Sequence, residues 1–267
     1  MASQLLHTFG FLKACALSCA IVIHVSGAAN KGEKMARKKI FVIFDVETIT
    51  SARLVFDIAW HVCNSKGQIL ESYNALVEEV VTTPFIFELL RKDDFMKDKC
   101  QMYIDALVMN SIDIKTLYDI SCDYYAIKDR YDAEVIMCAY NAKFDYEILN
   151  NNLEMYEGTK FFENTNYIID IMTMALATIC NTNKYVRWCN LNGFVTLKGN
   201  IKTNAQTVYA YLSQNRDFVE AHHALADCDI EKDIFFKARK YRKKHHTKFA
   251  MPIFRCPEWK EVQARNK

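Results

Sequence analysis

The fold is decided by residues 40–49, which read IFVIFDVETI. The first five form an unbroken apolar and β-branched run, the pattern of a central strand that is buried on both faces. We expect this strand to end at Asp45. Side chains two residues apart on a pleated strand point to the same side, so Asp45 and Glu47 would present their carboxylates together.

The segments around this strand predict an α/β domain. Leu54–Val62 and the stretch from Gln68 to about Val77, with a turn at 64–67 between them, predict an antiparallel arrangement with the first strand. Residues 84–131 read as helical. Later segments alternate: strands at 135–139 and 167–171, helices at 144–153, 172–179, 208–212 and 224–244. Three leading strands followed by this alternation predict a mixed sheet with helices on both faces.

Composition is that of an ordinary globular protein. The 267 residues are 51% hydrophobic and 25% charged, and 7 Gly with 3 Pro argue against long linkers. We place one domain at residues 38–247, an extension at 1–34 and a basic tail at 248–267. Residues 237–267 hold 11 Lys or Arg against two Glu, so the remainder is acidic although the whole chain has a net charge of +2. A basic arm beside an acidic body suits a polyanionic ligand.

The N-terminal segment allows three interpretations. The apolar run Ala14–Val25 precedes Ser26-Gly27-Ala28, which resembles a secretory cleavage site, but Lys13 is the one positive charge before the run. The run is short for a transmembrane helix. Met35 leads directly into the first strand and resembles a natural start. We therefore favour a dispensable extension over a targeting peptide or a membrane-associated segment, and expect no stable membrane association.

The distribution of the ten cysteines indicates the cellular compartment in which the protein is expected. They include no Cys-x-x-Cys pair and are scattered among apolar residues. This pattern favours buried free thiols over a disulfide framework. We expect a cytoplasmic protein, or one of the host cytoplasm if it is viral.

Three short motifs carry the chemistry: DVET at 45–48, NAKFD at 141–145 and HHALAD at 222–227. Each alone also suits a turn or a helix cap. Together they bring four carboxylates and a histidine to the ends of different strands and helices, where α/β sheets build their sites. Carboxylate oxygens are the ligands that Mg²⁺, or Mn²⁺ as a substitute, prefers. The motifs predict a pocket for two divalent ions beside a base, which is equipment for hydrolysing a phosphodiester.

This combination resembles the DEDDh-type 3′–5′ exonucleases of the ribonuclease H-like superfamily, the DnaQ-like exonuclease family. The resemblance covers about residues 38–240 and implies a three-layer fold with a five-stranded mixed sheet flanked by helices. It implies that Asp45 bridges both metals, that Glu47 and Asp227 complete one site, and that Asp145 serves the second, partly through water. A histidine would deprotonate the attacking water, and the product would be a nucleoside 5′-monophosphate.

The adjacent histidines pose an ambiguity. Family spacing selects His222 as the base, but five residues on a continuous helix would turn it about 140° away from Asp227, whereas His223 would share the face of Asp227. The conflict disappears if the helix begins after His222, which would then lie in a loop. We predict that His222 is the base.

Substrate contacts are also predicted from the motifs. Relatives often have Thr-Gly where this chain has Thr48 and Ile49. Thr48 is expected to hydrogen-bond the terminal nucleotide, and Ile49 to wedge against its base. Asn141 and Phe144 are further candidate substrate-binding residues. The segment 184–188, KYVRW, allows either a stacking platform for single strands or ordinary helix packing, and the basic cluster 237–248 suits a nucleic-acid backbone.

The expected function is a metal-dependent 3′–5′ exonuclease that acts on single-stranded DNA or RNA ends. The alternatives are an RNA-trimming enzyme of the ribonuclease T or oligoribonuclease type, and a non-catalytic nucleic-acid-binding protein with the same fold. A polymerase or another replication protein is the expected partner.

Overall fold

The structure is a computed structural model that describes residues 38–49, 51–83, 86–92, 97, 99–162 and 168–245. The predicted extension at 1–34, the start at Met35, the tail at 248–267 and the end of the basic cluster lie outside the described residues.

The strands and helices follow each other along the chain in a mixed order. The strands are β1 (Lys39–Ile49), β2 (Leu54–Cys63), β3 (Ile69–Val77), β4 (Asp113–Lys115), β5 (Glu134–Ala139) and β6 (Ile169–Asp170). The helices are α1 (Glu78–Val81), α2 (Ile86–Lys92), α3 (Cys100–Val108), α4 (Leu117–Tyr131), α5 (Ala142–Glu157), α6 (Ile171–Ala175), α7 (Asn183–Asn192), α8 (Ala205–Ser213) and α9 (Ala224–His245). A π-helical turn, Leu176–Cys180, follows α6 directly.

The sheet is mixed, and its strands lie in the order β4-β3-β2-β1-β5-β6. Strand β2 runs antiparallel to β1 and β3, whereas β5 is parallel to β1 and β6 is parallel to β5. This confirms the predicted α/β architecture, a mixed sheet with helices on both faces.

The prediction of five strands was wrong, because the described residues form six. The additional strand, β4, lies inside the region 84–131 that was read as helical throughout. It pairs with the outer edge of β3, where Ala75–Val77 offers unpaired backbone groups. Thr116 then caps α4 by accepting a hydrogen bond from the backbone N–H of Asp119 at 3.0 Å, so a new helix starts there.

Strand β1 separates two hydrophobic cores. Its even-numbered side chains, such as Val42 and Phe44, pack in a core with residues of α4 and α5. Its odd-numbered side chains, Phe41 and Ile43, pack in a second core with α9 residues. Since β1 continues to Ile49 instead of ending at Asp45, the odd-numbered row extends through Asp45 and Glu47. Alternation therefore points both carboxylates toward the α9 side of the sheet.

Seven of the ten cysteines lie in the described part of the chain, where all seven are free thiols and Cys122 alone is exposed. Cys15, Cys19 and Cys256 lie outside it. No helix among the described residues is long and apolar enough to cross a lipid bilayer.

Candidate active site

The first motif lies on β1 beside a β-bulge. Asp45 pairs with Ala59 of β2 and Glu47 with Asp57, but the register shifts between Glu47 and Thr48. A bulge inserts an extra residue and bends the strand, so it re-aims the side chains beside it. The two carboxylates of the first motif therefore lie directly before the one register shift in the pairing of β1 with β2.

The second motif forms the corner between β5 and α5. Asn141 has a φ of 63°, in the left-handed region that Asn tolerates, and α5 begins directly after it. The side chain of Asp170, at the end of the neighbouring β6, accepts a hydrogen bond from the backbone N–H of Asn141 at 3.3 Å. Asp145 follows in the first turn of α5 and is only 3% exposed. Its carboxylate accepts a hydrogen bond from the backbone N–H of Val46, between the two acids of the first motif.

The third motif changes from loop to helix between its two histidines. His222 has a φ of 48°, outside the helical range, and α9 begins at Ala224. His222 therefore precedes the helix, and the five-residue spacing does not turn it away from Asp227. Glu47, His222 and Asp227 each offer a ligand atom within 4.8 Å of the others. Strand β1 and the start of α9 thus bring together three of the five predicted catalytic residues.

His223 points into a different environment. Its ring stacks on Tyr103 with a centroid distance of 5.8 Å and an interplanar angle of 22°. The Tyr103 hydroxyl donates a hydrogen bond to Asp57 at 2.7 Å, and the backbone N–H of Ala224 donates to the same carboxylate at 3.2 Å. Asp57 is fully buried. It anchors the first residue of α9 to the sheet, and His223 packs against this anchor.

The pKa values of the acidic side chains of the site are raised. Burial raises the pKa of Glu47 to about 9, with a further contribution from the charge of Asp227. Burial likewise raises the pKa of Asp145 to about 8 and that of Asp227 to about 7. The pKa of Asp45 is raised well above its ordinary value by burial and by four neighbouring carboxylates, among them Glu47, Asp145 and Asp227. These charges repel one another strongly, and only protons or cations can relieve the repulsion.

The residues fit a hard divalent cation. Glu47 and Asp227 share a hydrogen bond, which requires a proton on one of the two carboxyl groups. A metal ion bound by both groups would replace this proton. In the described part of the chain, Oδ1 of Asp227 is buried without a hydrogen-bond partner. A buried carboxylate oxygen without a partner is costly unless something binds it. Carboxylate oxygens are the ligands that Mg²⁺ and Mn²⁺ prefer, and the site adds one imidazole beside them.

One basic side chain, Lys99, acts on this acidic group. Lys99 directly precedes α3, one turn before Tyr103. Its charge lowers the pKa of Glu47 and Asp227, against the larger effect of burial. The pKa of His222 is lowered by burial first and by Lys99 second. His222 is therefore a neutral imidazole near neutral pH, which is the form that accepts a proton.

The four predicted substrate-binding residues have different surroundings. Thr48 is partly exposed at the bulge, Asn141 is exposed, and Phe144 is 42% exposed on the first turn of α5. Ile49 is fully buried in the core that packs against α4 and α5. The expectation that Ile49 wedges against a base is therefore corrected, because the register shift between Glu47 and Thr48 turns the Ile49 side chain into this core and away from the side of Asp45 and Glu47.

The segment KYVRW forms part of α7 and packs inward. Tyr185 is fully buried, and its hydroxyl donates a hydrogen bond to the Lys202 carbonyl at 2.8 Å. Trp188 stacks on Phe194 at a centroid distance of 4.9 Å. The aromatic side chains of this segment therefore pack against other residues of the protein, as in the helix-packing alternative, rather than forming an exposed stacking platform.

Sequence reasoning missed four residues around the site: Asp57, Lys99, Tyr103 and Glu231. Glu231 is 3% exposed and follows Asp227 by four residues on α9. Helical spacing could have identified it, since residues four apart share a face. Asp57 lies on β2, and Lys99 and Tyr103 lie at the start of α3, and neither segment shares a motif with the other.

Comparisons with known proteins give structural likenesses only. No family model matches the chain, and no curated protein matches it. A solved structure of exonuclease X with 5′-overhanging duplex DNA is 16% identical, with a TM-score of 0.42, over 84% of this chain and 99% of that one. The nuclease domain of 3′hExo, a DEDDh family member bound to rAMP, is 10% identical with a TM-score of 0.48, over 76% and 92%.

E. coli exonuclease I with a dT13 oligonucleotide is 10% identical with a TM-score of 0.49, over 78% of this chain and 42% of that one. The chemistry of the site described above follows from its own side chains rather than from these likenesses.

Proposed function

We propose that this protein is a metal-dependent 3′–5′ exonuclease that hydrolyses phosphodiester bonds at the 3′ end of single-stranded DNA or RNA and releases nucleoside 5′-monophosphates. The observation that carries the proposal is the group formed by Glu47, His222 and Asp227, whose ligand atoms lie within 4.8 Å of one another. Asp45 and Asp145 add two further carboxylates to the same electrostatic environment.

The carboxylates would hold the metal ions. Asp45, Glu47, Asp145 and Asp227 suit two Mg²⁺ or Mn²⁺ ions, which would neutralise charge on the attacking and leaving oxygens of the phosphodiester. The repulsion among these side chains in the absence of a cation supports this role, since the binding of a divalent ion replaces the protons that they otherwise hold.

His222 would act as the general base. Burial and Lys99 lower its pKa, so the ring is neutral at the pH where the carboxylates bind metal. A neutral imidazole beside Glu47 and Asp227 can take a proton from a water molecule held in the same pocket. The left-handed backbone at His222 supports the assignment, because it separates this ring from the helix that carries Asp227.

The rim of the pocket suits a single-stranded 3′ end. Phe144 and Asn141 are exposed close to Asp145 in sequence, and an exposed ring offers a stacking surface to any base. A 3′ end would have to leave its duplex before its terminal phosphodiester reaches a pocket whose carboxylates are buried or half-buried. A polymerase or another replication protein as partner, and a cytoplasmic location, stay predictions from the sequence.

The test uses the full chain with 5′-labelled single-stranded DNA and RNA of the same sequence. With Mg²⁺, we expect a ladder that shortens from the 3′ end, and loss of the ladder in EDTA and in Asp45→Asn. Asp233→Asn is the matched control, since Asp233 is an exposed carboxylate on α9. Circular single strands should persist, because an exonuclease requires an end.

Each alternative function gives its own result in the same assay. A ladder with RNA alone favours the RNA-trimming type of enzyme, whose pocket would distinguish the 2′-hydroxyl. Binding of both oligonucleotides without degradation, in Mg²⁺ and in Mn²⁺, would refute the exonuclease and leave a nucleic-acid-binding protein.

A further inference from the structure

Glu231 is a buried carboxylate that the three motifs do not include. It lies on α9 one turn after Asp227 and is 3% exposed. Its Oε2 accepts a hydrogen bond from the backbone N–H of Tyr140 at 3.1 Å. Tyr140 directly precedes Asn141, so this contact joins the helix that carries Asp227 to the corner that carries Asp145.

The surroundings of Glu231 disfavour a negative charge. Burial raises its pKa well above the ordinary value, and the charges of Asp145, Asp227 and Glu220 raise it further. The Tyr140 N–H acts in the opposite direction. Glu231 in turn raises the pKa of Asp45, where it is the largest contribution after burial. Glu231 thus lies close enough to the predicted metal ligands to share their electrostatic field.

A glutamine would serve the hydrogen bond to Tyr140 equally well. An amide oxygen accepts from a backbone N–H, and its burial does not require the removal of a charge from water. A carboxylate at this position is destabilising on its own, because a buried charge needs an opposite charge close by. A carboxyl group buried here is therefore neutralised either by a proton or by a cation, and the pocket beside it is suited to a divalent metal ion.

We propose that Glu231 is a fifth carboxylate of the metal centre, which contributes its charge to metal binding in addition to the four acids of the motifs. The proposal rests on the metal site of the proposed function. The spacing of four residues places Glu231 on the helical face of Asp227, whose buried Oδ1 has no hydrogen-bond partner in the described part of the chain. The hydrogen bond from the Tyr140 N–H fixes the Glu231 carboxylate at the end of β5, directly before the corner that carries Asn141 and Asp145.

The test measures Mn²⁺ binding to the full chain by isothermal titration calorimetry, without nucleic acid. We expect Glu231→Gln to bind Mn²⁺ roughly 10- to 100-fold more weakly than the wild type, the range typical of residues that support metal ligands. The same variant should melt at an equal or higher temperature in EDTA, because it keeps the hydrogen-bond acceptor and loses the repulsion. Asp233→Asn, with the same change of charge on an exposed position of α9, should bind Mn²⁺ like the wild type.

Two results would overturn the proposal. The first is Mn²⁺ affinity in Glu231→Gln equal to that of Asp233→Asn, which would make Glu231 a structural acceptor for Tyr140 only. The second is a wild-type protein that binds no Mn²⁺. If Glu231→Gln does not fold, Glu231→Asp replaces it: this variant keeps the charge and is expected to retain most of the Mn²⁺ affinity, and its loss would equally contradict the role of the charge.

Failure of the exonuclease assay has a different meaning. If the wild type binds Mn²⁺ in a Glu231-dependent manner but degrades no oligonucleotide, the proposed function is wrong and the fifth carboxylate stands. If the wild type degrades oligonucleotides and Glu231→Gln keeps full Mn²⁺ affinity, the function stands and the role of Glu231 is wrong.

Discussion

The metal-free protein should become less stable as the pH rises, and Asp227→Asn should remove part of this effect. The folded protein holds protons on Asp227, Asp145 and Glu47 up to about pH 7, 8 and 9, respectively, and burial is the main cause in each case. The unfolded chain releases them near pH 4. Stability is therefore highest below about pH 4 with respect to these groups, and is lost as the pH rises through the raised pKa values.

The size of the effect follows from the pKa of Asp227. A rise from its ordinary value of 3.8 to about 7 makes the ionised group destabilising by about 4 kcal/mol above pH 7. Asn cannot ionise, so in EDTA at about pH 9 the variant should be more stable than the wild type by roughly this amount. For a domain of this size the difference in melting temperature is on the order of 10 °C.

The assay is thermal melting in EDTA from about pH 4 to about pH 9, with Asp233→Asn as the exposed control. The melting curves of wild type and Asp227→Asn should nearly coincide at the acidic end and separate above neutral pH. Addition of excess Mg²⁺ should reverse the order, since a ligand that binds the folded state stabilises it and the variant has lost a metal ligand. Parallel loss of stability in both proteins across the pH range would refute the reasoning.

Three further predictions concern neighbouring side chains. His222→Ala should reduce turnover in the oligonucleotide assay roughly 10²- to 10⁴-fold. His223→Ala should keep most of the activity and lower the unfolding free energy by about 1 kcal/mol, because its stacking contact is lost. If His223→Ala is the inactive variant and His222→Ala the active one, His223 is the base. Lys99→Ala should tighten Mn²⁺ binding in calorimetry, because it removes a positive charge beside the carboxylates, and weaker binding would contradict this. Tyr103→Phe should lower the unfolding free energy by about 1.5–3 kcal/mol in urea titrations, since Asp57 loses a 2.7 Å hydrogen bond; unchanged stability would argue against the anchor.

Local sequence patterns predicted much of the fold. The apolar run at 40–44 identified the central strand because a strand buried on both faces leaves no polar position. The spacing of the third motif, together with the angle per residue of a helix, required α9 to begin after His222, and it begins at Ala224. The presence of Asp45 and Glu47 on one face of β1 followed from the two-residue period of a strand.

Contacts between distant segments could not be predicted in this way. Asp57 meets Tyr103 and Ala224, which are 46 and 167 residues away in the chain, and no local period connects them. The role of Ile49 in substrate binding was predicted from its place in the motif, where relatives have Gly, and the register shift that turns its side chain into the core was not visible in the sequence. The three residues of β4 are too few to show an alternation, and their pairing depends on the edge of β3.

The lengths of the edge strands affect how easily another chain can add a strand to the sheet. The outermost strands are β4 with three residues and β6 with two, whereas β1 and β2, in the middle of the sheet, have 11 and 10. A long exposed edge is a template on which another chain can add a strand and start an aggregate. Here the two longest strands, β1 and β2, have a paired strand on each side, and the outermost strands β4 and β6 offer edges of only three and two residues. Strands this short give another chain too few backbone groups on β4 or β6 to add a stable strand there, so these two edges need no row of charged side chains for protection.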